Sequence, residues 1–418
     1  MQDKPIIESP LEVDFYIYPM EYLGRKKHPN AQVSFKLKNR TTKVRLADLI
    51  DQGELREQFD HMKSLRFREQ DIHYIGGTFE YDRMMFDSEF LKSRRDFRLS
   101  DYNLEVRDGQ FHLEFSGDWD AASHWETPAL ATINELYVRA LMKNFTYVEQ
   151  RAKWAQAWDL VQQKAARIKQ HPRITFSEFG FRRRAGGKWQ RQINEFLAQE
   201  LPGQYRGTSN TLIAKDLGVT PMGTNAHSIA MLYQGVYRDF DESSNPNLML
   251  PSQMRLLVDW YETFGYALST FLPDTYGSDY FFSRLPAQML VDWKGSRQDS
   301  GVPSEQIQKM ISRYRHVCVD PKTKLVIPSD GLDDGKIVAL DEGYGGQINL
   351  SYGWGTNLTF DIPGLLPVSL VCKLDKVNGQ HVAKLSDNRN KATGDPAAVE
   401  RIRRLTGDQT TFSEDCRY

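Results

Sequence analysis

After His171 the chain settles into one repeated phrase: a short apolar run, a cluster of Gly, Ser, Asp or Arg, then a helical stretch. RITFSEFG, YRGTSN, VTPMGTN, ALSTFLPDTYGSD, MLVDWKGSRQDSG, LVIPSDG and INLSYGWGTN follow one another, with helical spacing around 189–197, 254–264 and 304–314. Parallel strands need a long crossover between neighbours, so strand, polar cluster and helix in repetition is the mark of a parallel β/α layer. Six or seven such units in this stretch predict closure into a barrel rather than a short open sheet. In either arrangement the loops that follow the strands carry the chemistry. The fold expected is α/β: an irregular β/α barrel over 126–361, with an α/β N-terminal domain over 1–125.

The flanking segments have a different rhythm. AQVSFKLKNR and FHLEFSG alternate like half-buried strands, while ELREQFDHMKSL between them has helical spacing. From Glu126 to about Gln170 the pattern is helical, with Leu130, Ile133, Leu136 and Tyr137 on one face, and too long for a single helix. In the tail, LLPVSLVCKLDKVNGQHVAKLS reads as a hairpin turning at Asn378–Gly379, and it is expected to return residues 362–418 to the first domain. DNRNKATGDP follows as turns, then a short helix near 397–405. No internal repeat or low-complexity tract interrupts this layout.

At 418 residues the chain is longer than one core usually serves. Its net charge of -1 provides no global field to recruit nucleic acid or an anionic membrane, so neither is an expected partner. Cys318, Cys372 and Cys416 are far apart and form no C-x-x-C pair, which argues against a zinc site or a disulfide framework and for a reducing cytoplasm. The opening MQDKPIIESPLEVD carries acids and prolines where a signal peptide needs an apolar core. No apolar run is long enough to span a bilayer.

Chemistry is sought in the clusters. GSRQDSG offers Arg297, Asp299, Ser300 and Gly301 on one loop: a guanidinium for phosphate, and a carboxylate for ribose hydroxyls or magnesium. IPSDG presents Ser329, Asp330 and Gly331 similarly, and YGWGTN places Gly355 and Thr356 where backbone N–H groups can approach a phosphate. Each is equally readable as a capped βα turn. In SEFGFRRR, Phe179 and Arg182 suit a flat anionic ring, stacked on one face and held at its carboxylate; Arg183 and Arg184 read as a solvated basic run. His227, in GTNAHSIAM at the start of a helical run, is either structural or a nucleophile that accepts a phosphoryl group. No P-loop, dinucleotide fingerprint, H-E-x-x-H or G-x-S-x-G is present. These clusters by themselves reach a β/α enzyme acting on a phosphorylated sugar. An isomerase or aldolase would need a strand-end base or Schiff-base lysine, for which only Lys294 offers itself.

In order, the clusters resemble the nicotinate phosphoribosyltransferase family. FGFRRR is similar to its FGTRRR, RGTSN to its GTSN, VTPMGTNAHS to TPxGTxAHE, SRQDSGVP to RHDSGDP, SYGWGTNLT to FGIGTxLT and VAKLSDNRNKATG to VAKLSDxPGK. FLPDTYGSDYFF resembles the family's threonine–aspartate run, VDFYIYPM its opening D-x-Y, and SGDWDAASHWETPAL its G-x-W…WE-x-P-L block. The resemblance implies a type II phosphoribosyltransferase fold. It implies condensation of nicotinate with phosphoribosyl pyrophosphate to nicotinate mononucleotide and pyrophosphate, coupled to ATP hydrolysis with magnesium. It also implies a homodimer with the active site at the interface.

Carried onto this chain, the resemblance implies that Phe179 stacks on the pyridine ring with Tyr16 of a second subunit opposite, and that Arg182 pairs with the carboxylate. Arg297 and Asp299 hold ribose and pyrophosphate, and Asp299 is the candidate magnesium ligand. Asp330, Gly355 and Thr356 cradle the 5′-phosphate, and Ser300 and Gly331 are further substrate-binding residues. Arg40, Lys384 and Lys391 bring positive charge to polyphosphate across the interface, and His227 is the phosphorylated histidine. Ser209 stands where related nicotinamide enzymes carry an Asp. An Asp there would repel a carboxylate about 4 Å away by roughly 4 kcal/mol at an effective dielectric near 20, so a neutral Ser209 favours the acid. Four positions depart from the family pattern: Gln298, Val302, Ile17 and Phe181. They make a catalytically silent, nucleotide-binding relative the remaining alternative.

Overall fold

The computed structural model describes residues 5–78 and 84–414; Cys416 lies outside them. Three strands form in the first domain, β1 (Gln32–Asn39), β2 (Tyr102–Arg107) and β3 (Gln110–Asp118); alternation predicts β1 and β3 but does not mark β2. They are antiparallel, with Phe35 opposite Phe115 on the face that packs beneath Trp125. The expected helix 54–65 spans Gln52–Ser64, capped by Asp51. The long helical stretch divides in two, Pro128–Met142 and Tyr147–Lys169. The second begins at a capping box in which Thr146 and Glu149 satisfy each other's backbone N–H.

The repeated phrase becomes seven short strands in two parallel sheets. β4 (Phe176–Glu178) pairs with β5 (Tyr205–Thr208). β6 (Thr270–Phe271), β7 (Gly295–Gln298), β8 (Leu325–Pro328) and β9 (Asn349–Leu350) form a run in chain order. Only Ser351 separates β9 from β10 (Tyr352–Trp354), which crosses to the other sheet and pairs with β4. The ring therefore runs β4, β5, a gap, β6, β7, β8, β9/β10 and back to β4: an irregular β/α barrel. The gap is at VTPMGTN, expected as a strand unit. It contributes one isolated bridge, Thr208 to Pro221, because Pro221 has no N–H to extend a ladder. Trp260, Trp293 and Trp354 are fully buried in this half and Trp125 in the other.

The tail strand β11 (Leu370–Val377) pairs with β1, Leu37 opposite Cys372, and with β12 (Gln380–His381). Between them Asn378 and Gly379 both have positive φ, 49° and 79°, as a two-residue hairpin turn requires. The sheet order is β12-β11-β1-β3-β2. The hairpin alone makes this return. The segment after it, β13 (Ala383–Lys384), β14 (Thr393–Gly394) and the helix Pro396–Thr406, packs through Leu385, Ala398 and Ile402 on Leu250, Tyr276 and Tyr280 of the barrel half. One apolar core runs through both halves. Among the described residues no helix is long and apolar enough to cross a membrane.

Candidate active site

The C-terminal ends of β4, β5, β7, β8 and β10 open onto one cleft of about 1110 Å³, including its mouth. One end of it, lined by Phe179 and Arg182, is built by the turn after β4. Glu178, buried at the end of that strand, accepts from the Gly180 N–H, Gln190 (2.9 Å), Asn194 (3.2 Å) and Thr208 (2.6 Å). That network fixes the turn carrying Phe179 and Arg182 into the cleft. The Phe179 ring lies against the backbone of β10: a Cβ on Gly353 would stand 2.7 Å from it, so only glycine leaves the room. Arg182 has no hydrogen bond or ion pair to its guanidinium among the described residues, although it is half-buried and the charges of Tyr16, Asp14 and Asp299 act on it.

Tyr16 lines the same cleft of the same chain. Residues 13–15 are bonded along the end of β5: Phe15 N–H to Ser209 O (2.7 Å), Thr211 N–H to Val13 O (3.0 Å), and Asp14 bridged to Asn210. Tyr16 thus borders its own chain's cleft, where the resemblance implies a Tyr16 from a second subunit. Arg40, Lys384 and Lys391 also line the one chain's cleft, because β11 and the segment after it fold back over the barrel mouth. Arg40 donates to Lys391 O (3.1 Å) and Thr393 (3.3 Å), tying β1 to that segment.

At the other end, His227 is the first residue of the helix His227–Val236 and is 3% exposed. Its Nε2 is 3.0 Å from Asp299 on the cleft side, and its Nδ1 is 3.0 Å from Thr275 Oγ1 behind. Burial, helped by the Lys384 charge, pulls its pKa down to about 4, so the imidazole is neutral at pH 7. Asp299 is held well below the usual carboxylate range. Burial works against this, but His227, Arg297 and Lys384 outweigh it. Arg297 donates to Asn225 O (3.0 Å), and Lys391 pairs with Asp330 at 2.5 Å. Gly331, Gly355 and Thr356 line the wall between, Thr356 opening the short helix Thr356–Thr359 and accepting from Arg183 (3.5 Å).

Every expected site residue but one therefore borders the cleft. The exception is Ser300, which is fully buried behind it: its hydroxyl donates to Asp274 (2.7 Å) and accepts from the Asp387 N–H (3.1 Å), leaving nothing for a phosphate. The expectation of a solvated Arg183–Arg184 run also fails. Arg184 is fully buried, bound to Glu12 (2.5 Å) and Ile6 O (3.1 Å), and Arg183 faces the cleft. None of the four departures lines the cleft: Ile17 and Phe181 are core, Gln298 turns to Ser300 O (3.2 Å), and Val302 caps the helix Pro303–His316.

Three residues escaped sequence reasoning. Asp14, two before Tyr16, enters the end lined by Phe179 and Arg182. Lys373 enters from β11 and is paired with buried Glu126 at 3.3 Å; the alternation of VCKLDKV was its only signal. Asp274, in LPDT, holds Lys384 (3.4 Å) and lies 3.7 Å from His227 Nε2. Its Oδ1 is buried without a hydrogen-bond partner, and His227, Asp274 and Asp299 bring ligand atoms within 4.8 Å of one another. An orphaned carboxylate oxygen beside a second, firmly ionised carboxylate fits a magnesium ion.

Two family models cover most of the chain. The nicotinate phosphoribosyltransferase family matches residues 174–409, and the N-terminal domain of the same family matches 11–134. The chain belongs to the nicotinate phosphoribosyltransferase family. Solved structures agree. The nicotinate phosphoribosyltransferase of Porphyromonas gingivalis is 27% identical with a TM-score of 0.84, over 96% of this chain and 100% of that one. That of Vibrio cholerae is 28% identical with a TM-score of 0.83, over 97% and 94%. The cleft of this family member holds, in one chain, an aromatic ring beside an unpaired guanidinium, a basic channel and a neutral histidine.

Proposed function

We propose that this cleft is where the chain carries out its family's reaction, joining nicotinate to phosphoribosyl pyrophosphate to form nicotinate mononucleotide and pyrophosphate, the entry of nicotinate into NAD salvage. The observation that carries the assignment of roles is the unpaired Arg182 guanidinium beside the Phe179 ring. A half-buried cation without a partner is costly unless an anion completes it, and a pyridine carboxylate fills both positions at once. Tyr16 closes the other face of the ring. Neutral Ser209, buried in the same end of the cleft, favours the acid over the amide. Turnover of nicotinamide at a rate comparable to nicotinate would overturn that selectivity.

The sugar end follows from charge. As pyrophosphate leaves C1 of the ribose, the ring carbon gains oxocarbenium character and the pyridine nitrogen attacks it. Arg297, Lys384, Lys391, Arg40 and Lys373 surround the leaving charge, Asp299 receives ribose hydroxyls, and Gly331, Gly355 and Thr356 offer backbone N–H groups and a hydroxyl to the 5′-phosphate, with Asp330 keeping Lys391 in place. Asp299 and Asp274 would hold magnesium, which supplies further charge neutralisation at the pyrophosphate when bound.

ATP coupling is assigned to His227. As the site stands, the Nε2–H donates to Asp299 and Nδ1 accepts from Thr275. When ATP displaces Asp299 the proton sits on Nδ1, donated to Thr275, and the freed Nε2 lone pair attacks the γ-phosphorus; ADP leaves, and water later returns the imidazole with release of phosphate. Phosphorylation adds charge beside Lys384 and Arg297, so it changes the affinity of the basic channel for phosphoribosyl pyrophosphate, a coupling between two sites. The homodimer implied by the resemblance would then pair two complete clefts. A cytoplasmic setting belongs to the same reading and suits the free thiols of Cys318 and Cys372.

One assay decides between this reading and a silent relative: pyrophosphate release from phosphoribosyl pyrophosphate, with and without nicotinate and ATP. The expected result is nicotinate-dependent release accelerated by ATP. Release that ignores nicotinate, or none at all, rejects the reading.

A further inference from the structure

Asp14 is 3% exposed, yet it borders the ring-binding end of the cleft with Arg182, Phe179 and Ser209. Its carboxyl is buried beside the buried Ser209 hydroxyl, the one side-chain donor that acts on it. The backbone that carries Asp14 is fixed at the cleft. Its own N–H donates to Thr127 (3.2 Å), its backbone is bridged to Asn210, and the residues on both sides are bonded to Ser209 and Thr211. A nicotinate whose carboxylate meets Arg182 therefore meets a second carboxyl group fixed beside it.

The surrounding charge does not favour two anions. Arg182, from the turn after β4, is the cation acting on Asp14; Glu178 on β4 and Glu126 at the head of the helix Pro128–Met142 are acids acting on it. Lys373 is already paired with Glu126. Burial pushes the Asp14 carboxyl up to about 6, Arg182 opposing, so it is mostly ionised at neutral pH but close to taking a proton. Two carboxylates sharing one guanidinium in a buried site titrate as a pair, and adding the second raises the proton affinity of the first.

We infer that Asp14 sets the pH dependence of nicotinate binding through a shared proton: nicotinate enters together with one proton, which the Asp14 carboxyl then donates in a hydrogen bond to the substrate. The proton comes from the solvent and no covalent bond changes. An uncharged amide in the same place would bring no second anion and take up no proton. This deepens the proposed function and rests on nicotinate being the ring substrate of the cleft.

The test is calorimetric titration of the wild-type protein with nicotinate, pyrophosphate present so that no turnover occurs, in two buffers of different ionisation enthalpy. Uptake approaching one proton per nicotinate is expected near pH 7.5, falling toward zero below about pH 5, where Asp14 is already protonated. The KM for nicotinate should rise by up to about tenfold per pH unit above about pH 6 while kcat stays level. In Asp14→Asn, both the uptake and the slope of KM should disappear. Turnover of nicotinate by the wild type with uptake below about one-fifth of a proton overturns the inference and leaves the proposed function standing. Absence of nicotinate-dependent pyrophosphate release overturns both. The wild-type measurement decides even if Asp14→Asn does not fold.

Discussion

The cleft's two ends depend on single residues whose removal should have separable effects. Arg182 supplies the guanidinium at the ring end. Losing two charge-assisted hydrogen bonds costs about 3–4 kcal/mol, so Arg182→Ala should lower kcat/KM for nicotinate about 10²–10³-fold, mostly through KM. The affinity for phosphoribosyl pyrophosphate should change by less than about threefold, because the sugar end lies beyond the ring. An equal loss for both substrates in steady-state kinetics would mean that Arg182 supports the fold instead. His227 governs the other end. His227→Ala should abolish nicotinate-stimulated ATP hydrolysis and the acid-labile phosphate that forms on the chain, both read with labelled ATP. Persistence of that phosphate in the variant would move the acceptor elsewhere. The pulled-down pKa of His227 fits this role, since a neutral ring keeps its lone pair through the physiological range.

At the scale of elements, the site depends on how closely strands and turns approach. β10 can lie under the Phe179 ring only because Gly353 has no side chain there. Gly353→Ala puts a methyl group 2.7 Å from that ring and 2.9 Å from Ser329 Cβ. The expected consequence is a loss of about 1–3 kcal/mol of stability together with a raised KM for nicotinate, read by denaturant titration and kinetics on the same preparation. Unchanged KM would show that the ring tolerates displacement. Arg184 makes the complementary point. It joins Glu12 of the N-terminal segment to the turn after β4, both partners buried, so Arg184→Met should destabilise the protein by about 3–5 kcal/mol by stranding the Glu12 carboxylate. Its neighbours Arg182 and Arg183 face the cleft. Three identical letters in a row thus have different surroundings: Arg182 and Arg183 leave from the 3₁₀ turn Phe181–Arg183, whereas Arg184 is the extended residue that follows it.

For the whole molecule, the chief consequence of the fold is that the tail closes the site from within. β11 brings Lys373 and Val371 over the barrel mouth, and β13 and the turn before β14 bring Lys384 and Lys391, so each chain lines its own cleft with these three lysines. Specific activity should therefore stay constant as the protein is diluted through any dimer dissociation seen by analytical ultracentrifugation. A fall in activity per chain that tracks dissociation would show that the cleft borrows residues from a partner.

Much of this was legible in the residues. The strand, cluster and helix rhythm determined the barrel, because periodicity is a local property that side-chain spacing records directly, and the Asn378–Gly379 turn determined the hairpin for the same reason. The clusters named most of the cleft, since residues that meet a phosphorylated sugar must follow strand ends in such a layer. What the sequence could not decide was depth and direction. Ser300 and Arg184 belong to motifs but turn into the interior, while Asp14, whose D-x-Y motif pointed only to Tyr16, and Lys373, an ordinary strand residue, turn into the cleft. VTPMGTN has the composition of a strand unit and is the gap in the ring. Nor could any local pattern show that Tyr16, Arg40 and Lys391 serve their own chain's cleft. That follows from the N-terminal segment bonding to the end of β5 and the tail pairing with β1, contacts between residues hundreds of positions apart, which only the folded chain brings within hydrogen-bond reach.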